Sequence, residues 1–105
     1  DQMKAEKRTE TKFYNWCKDN HIFVRKLKAV GVRGFPDRTI ILPGPVIVFI
    51  EFKAPGKTPS PWQVREMERL AALGARVLVT DSFEEAKQFV LSSGSIHKVI
   101  ERLIQ

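Results

Sequence analysis

Three residues in this chain combine types and spacing that could do chemistry: Asp37, Glu51 and Lys53. Glu51 and Lys53 follow the run Val46-Ile47-Val48-Phe49-Ile50, which is unbroken, apolar and rich in β-branched residues. Such a run reads as a strand buried on both faces. Strand side chains alternate, so Glu51 and Lys53 point one way and Phe52 the other. Ionisable groups at the end of a buried strand are costly unless paired or metal-bound. Asp37 stands before a second predicted strand, Arg38 to Leu42, and Pro43-Gly44-Pro45 joins the two strands. That connection is too short for a helix, so the strands are expected to pair antiparallel. Counting back from the turn then sets Asp37 opposite Glu51. Hydrolysing a phosphodiester requires neutralised phosphate charge, an activated water and a stabilised leaving oxygen. One or two carboxylates can hold Mg²⁺ for this, with waters and substrate oxygens completing the shell. Lys53 could orient the water or stabilise charge. The bland alternative is a cross-strand Asp–Lys ion pair at the end of a sheet.

Other chemistries find less support. Ala54-Pro55-Gly56-Lys57-Thr58 suggests a phosphate loop, but that pattern needs a glycine where Glu51 stands, and no helix is predicted to start at Lys57. Nucleotide triphosphate binding is therefore rejected. His21 and His97 fall in different elements with no metal-ligand spacing, and no Ser-His-Asp set has a recognisable context. A single cysteine, Cys17, rules out an internal disulfide and a cysteine-based zinc site, and fits a reducing cytoplasm. It lies on the apolar side of a predicted helix and reads as a small core residue.

The 105 residues and a 43% hydrophobic fraction are expected to make one globular domain. No apolar run is long enough to span a bilayer, and no leader pattern is present, so no membrane partner is expected. Met3 reads as the natural start, with Asp1-Gln2 added before it. The net charge of +6 suggests a polyanionic partner. Arg25, Lys26, Lys28, Arg33 and Arg38 crowd into one stretch whose only acid is Asp37. Lys26, Lys28, Arg33 and Arg38, with Lys57 in the later loop, are the candidate nucleic-acid contacts.

The positioning elements follow from periodicity. Residues 4 to 19 read as an amphipathic helix with Glu6, Glu10, Phe13, Trp16 and Cys17 in three- and four-residue steps. Glu10 then lies on or beside the buried stripe, though it could instead serve the helix dipole. Asn20-His21 ends this helix, Ile22 to Leu27 reads as a strand, and Val30 to Phe35 reads as a loop. Ser60, Pro61 and Gln63 form a capping-box start for a helix that Gly74 stops. Arg76 to Thr80 reads as a strand and Ser82 to about Leu91 as a capped helix. An amphipathic terminal helix is expected over Ile96 to Ile104. The helical crossover makes the last strand parallel to the central one. The fold class is thus α/β, a central mixed sheet flanked by helices.

Gly34-Phe35-Pro36-Asp37-Arg38, then Phe49-Ile50-Glu51-Phe52-Lys53-Ala54-Pro55-Gly56, then Pro59-Ser60-Pro61-Trp62-Gln63 together resemble the VRR-NUC branch of the PD-(D/E)xK nuclease superfamily. The stand-alone members of bacteriophages and bacteria are the most similar, and the resemblance runs from Glu10 to about Ser82. It implies a restriction-endonuclease-like core and metal-dependent DNA cleavage in the cytoplasm of a bacterial host cell, by a protein of bacterial or phage origin. Asp37, Glu51 and the Phe52 backbone carbonyl would ligand Mg²⁺ or Mn²⁺, and Lys53 would be the catalytic lysine. Glu10 matches the family's acid on the first helix, Gln63 its glutamine after the core, and Lys26 a lysine on the following strand. Gly34 would let the Pro-Asp turn approach closely. Small members resemble Holliday-junction resolvases, so a homodimer cutting branched DNA is expected. Two alternatives stand beside it: a nuclease that nicks or cuts duplex DNA without structure preference, and a basic DNA-binding domain whose acids are structural.

Overall fold

A computed structural model describes residues 2–94. The expected terminal helix over residues 96–104 and His97 lie outside them.

Helix α1 (Gln2–Asp19) begins two residues earlier than periodicity suggested. It ends in a left-handed cap: His21 takes φ of 57°, the Ile22 N–H donates to the Cys17 carbonyl at 2.8 Å, and the His21 N–H donates to Lys18 at 3.1 Å. This Schellman geometry satisfies the last carbonyls of the helix. It also claims Ile22, so strand β1 is only Phe23–Arg25, shorter than expected. Arg25 pairs with Thr39 of β2 (Arg38–Leu42), and the next pair in that register would set Lys26 against Arg38.

Strands β2 and β3 (Val46–Phe52) pair antiparallel, with Arg38 opposite Ile50 and Leu42 opposite Val46. Carrying that register one residue further sets Asp37 opposite Glu51. The chain then runs through α2 (Pro61–Ala72) to β4 (Arg76–Thr80), which lies parallel to β3, and on to α3 (Phe83–Ser93). The four strands lie in sequence order in one mixed sheet, as the crossover argument requires.

One face of the sheet buries Ile40, Val48, Ile50 and Phe52 against Phe13 and Cys17 of α1 and Ala86 and Val90 of α3. The Phe13 ring sits 5.4 Å from that of Phe52 and 6.0 Å from that of Trp16. Because strand side chains alternate, Phe49 and Glu51 face the other way, toward the loop before β2 and α2. There the Phe35 and Phe49 rings meet edge to face at 5.5 Å. No helix among the described residues is long and apolar enough to cross a membrane.

Candidate active site

Glu51 is the last residue but one of β3 and is 2% exposed. Its Oε1 accepts the Asp37 backbone N–H at 3.2 Å, and its Oε2 accepts the Gln63 side-chain amide at 2.9 Å. The Lys53 ammonium lies 3.2 Å from the same Oε2. Asp37 is fixed in return: its Oδ2 accepts the Phe52 backbone N–H at 2.8 Å. The peptide N–H of each strand end thus holds a carboxylate of the other. The expected alternation holds, with Glu51 and Lys53 together on one face and Phe52 turned into the core.

Burial and the neighbouring Asp37 carboxylate push Glu51 up to about 7, against the opposing pull of Lys53. Burial also raises Asp37, partly offset by the Phe52 N–H. Two carboxylates forced together in a desolvated place are disfavoured as a pair of anions, the condition a cation relieves. Among the described residues no group of three or more His, Cys, Asp or Glu side chains could hold a metal ion. Two hard carboxylates do fit Mg²⁺ or Mn²⁺, which commonly take one or two and fill the rest of the shell with other oxygens.

Gln63 performs two tasks at once. Its Oε1 accepts the Ser60 N–H at 2.9 Å while its own backbone N–H donates to Ser60 Oγ at 3.2 Å, completing the capping box. Its remaining amide protons are left for Glu51. Gly34 is what brings α2 this close. At φ of 83°, a Cβ built there would lie 2.6 Å from Trp62 C and Gln63 N. The close approach expected at Gly34 is thus to the first turn of α2.

Glu10 stands apart from this set. Its Oε2 accepts Arg38 Nε at 2.9 Å and lies 3.8 Å from Lys26 Nζ. It therefore pairs with both cations. Its position in the third turn of α1 removes the helix-dipole reading. Glu10, Lys26, Arg38 and Asp37 nevertheless line one cleft of about 460 Å³, with Glu6 and Lys7. Lys53 and Lys57 line a smaller recess of about 210 Å³.

Of the expected cationic contacts, Lys26, Lys28, Arg33 and Lys57 are exposed. Arg38 is largely buried, its guanidinium 4.6 Å from the Tyr14 ring centroid and bonded to Glu10. Sequence reading overlooked Trp62, which is 49% exposed beside Gln63, with the guanidiniums of Arg33 and Arg65 at 5.3 and 4.6 Å from its ring. The signal was present as an aromatic in the first turn of a helix next to a candidate site residue. Cys17 is fully buried and pushed up to about 12 by desolvation, which makes it a core residue and no nucleophile.

No family model matches the chain. A solved structure described as a VRR_NUC domain superposes with a TM-score of 0.72 at 36% identity, over 82% of this chain and 94% of that one. A protein named "Putative nuclease p44", from Acyrthosiphon pisum secondary endosymbiont phage 1, is 53% identical over 57 residues. That match spans 54% of this chain and 61% of p44, less than two thirds of the phage protein.

Proposed function

Since this chain belongs to the VRR-NUC domain family, we propose that it is a divalent-metal-dependent DNA endonuclease that hydrolyses phosphodiester bonds. The observation that carries this reading is the hydrogen-bonded set of Asp37, Glu51, Lys53 and Gln63 at one end of the β2–β3 hairpin. Asp37, Glu51 and the backbone carbonyl of Phe52 would hold Mg²⁺ or Mn²⁺. Such an ion supplies Lewis acidity toward a phosphoryl oxygen and lowers the pKa of bound water.

The chain's own groups do the rest. Lys53 offers a cation beside the carboxylates, able to orient the attacking water and to offset charge growing on the phosphate. Gln63 fixes the plane of the Glu51 carboxylate through one amide proton. The Phe52 N–H holds Asp37 so that the pair is set before substrate arrives, which removes reorganisation from the reaction. Glu51 must surrender its proton for the pair to act as two anions.

The test is a gel of labelled DNA incubated with Mg²⁺, Mn²⁺ or chelator. Cleavage is expected with either ion and none with chelator. Lys53→Ala and Asp37→Asn should each abolish cutting while folding and DNA binding persist. A Lys53→Ala protein that cuts normally removes the site assignment. Salt-sensitive binding with no cleavage under either ion returns the acids to a structural role.

The finer reading is that two copies act together on branched DNA. It rests on the likeness of the three motifs to those of small stand-alone family members. Ultracentrifugation with a panel of duplex, flap, splayed and four-way substrates decides it. A strict monomer that cuts plain duplex equally well favours an unselective nickase.

A further inference from the structure

The outward side of α1 carries Lys4, Lys7, Arg8, Thr11, Lys12 and Asn15 at three- and four-residue steps, all exposed. These positions lie opposite Phe13 and Cys17, which are fully buried. Both acids of the helix's first half, Glu6 and Glu10, turn toward the cleft that contains Asp37. Among the described residues, the outward side between Lys4 and Asn15 is therefore cationic with no acid on it.

Two physical costs attach to that pattern. Like charges at three- and four-residue spacing on a helix repel, where ordinary solvated helices interleave acids. The first turn of α1 also holds no acid, and cations near a helix N-terminus oppose its dipole. Both costs fall when a polyanion lies along the helix. The surface is also continuous with the candidate active site: Lys7 and Thr11 line both the outward trough and the cleft with Asp37. A lipid surface is a poorer occupant, because an interfacial helix must bury its apolar face in the membrane. Here that face is committed to the core.

We propose that the outward face of α1 is a second DNA contact, a phosphate-backbone track that leads the duplex flanking the cut into the Asp37 cleft. Its direction toward the cut rests on the nuclease reading. The binding itself does not.

The test measures affinity by fluorescence anisotropy against salt, in chelator, with a long labelled duplex. The variant combines Lys4→Gln, Lys7→Gln and Arg8→Gln. A control removes the same charge elsewhere, through Arg69→Gln, Arg76→Gln and Lys87→Gln. Each phosphate neutralised contributes about 0.9 to the slope of log affinity against log salt. The α1 variant should therefore lose about 2 to 3 from that slope, and the control should lose little. An unchanged slope in the α1 variant, or an equal loss in the control, overturns the track. Melting should be unaltered or raised in the α1 variant. Should it fall sharply, Lys7→Gln alone decides, with an expected loss of about one in slope. Because the titration omits metal, the two readings separate. Binding through α1 with no cleavage under Mg²⁺ or Mn²⁺ overturns only the nuclease, and cleavage with an unchanged slope overturns only the track.

Discussion

Glu51 is placed where an anion is poorly tolerated, and this shapes how the protein should respond to pH. Its folded-state value of about 7 lies above the ordinary 4.5. A raised carboxyl favours the protonated fold, so its stabilising effect is complete below pH 4.5 and fades as pH rises to about 7. The shift corresponds to on the order of 3 kcal/mol. In chelator the protein should lose stability across that window in urea melts, and Glu51→Gln should flatten the loss. Gln63 allows a second dissection. Ser60→Ala removes the cap but leaves the Glu51 contact, and should cost about 1 kcal/mol with turnover largely kept. Gln63→Ala keeps the bond from its own backbone N–H to Ser60 Oγ but removes both side-chain bonds, to the Ser60 N–H and to Glu51, and should lower turnover well beyond what its stability loss explains. Equal turnover in the two variants would reduce Gln63 to a cap. Asp37, Glu51 and Lys53 were legible in the sequence because strand alternation and hairpin counting are local rules, whereas Gln63 was legible as a cap and entered the site only through the family resemblance. The Glu10–Arg38 bond, 28 residues apart, was not: it depends on where α1 docks.

At the scale of elements, the site depends on how closely α2 approaches the loop before β2. Gly34→Ala combines a left-handed φ with a Cβ that collides with backbone of Trp62 and Gln63. Backbone cannot swing aside as a side chain can, so the loss should exceed about 1–2 kcal/mol, the usual penalty for a non-glycine residue in this region. Turnover should fall as well, because the helix that carries Gln63 must retreat. Normal turnover in a stably folded Gly34→Ala protein would show that α2 need not sit so near. Helix starts at Ser60 and Ser82 were readable because capping chemistry is written within four residues. The start of β1 was not readable, because a cap on α1 takes Ile22.

Across the whole molecule, folding holds two carboxylates together, and a bound cation repays that by mass action. Mg²⁺ or Mn²⁺ should raise the melting temperature with the logarithm of ion concentration above the dissociation constant, more at pH 8 than at pH 6, where Glu51 retains its proton. Asp37→Asn should melt no lower than the parent in chelator and should gain nothing from the ion. A parent protein whose melting is indifferent to both ions would remove the two-carboxylate site. The mixed sheet with helices on both sides was readable from element order and crossover handedness. The Trp62 platform with its two arginines was not, because Arg33 arrives there from a loop whose path no periodicity describes.

The bonds that build the site join residues only 12, 14 and 15 positions apart. Segments this near in the chain meet at small entropic expense and can pair early. The hairpin and the helix after it can therefore draw the acids together before α1 and α3 close over the opposite face. Their repulsion is then felt by the chain while it is still folding, and an ion that quiets it should hasten the arrival of the native state.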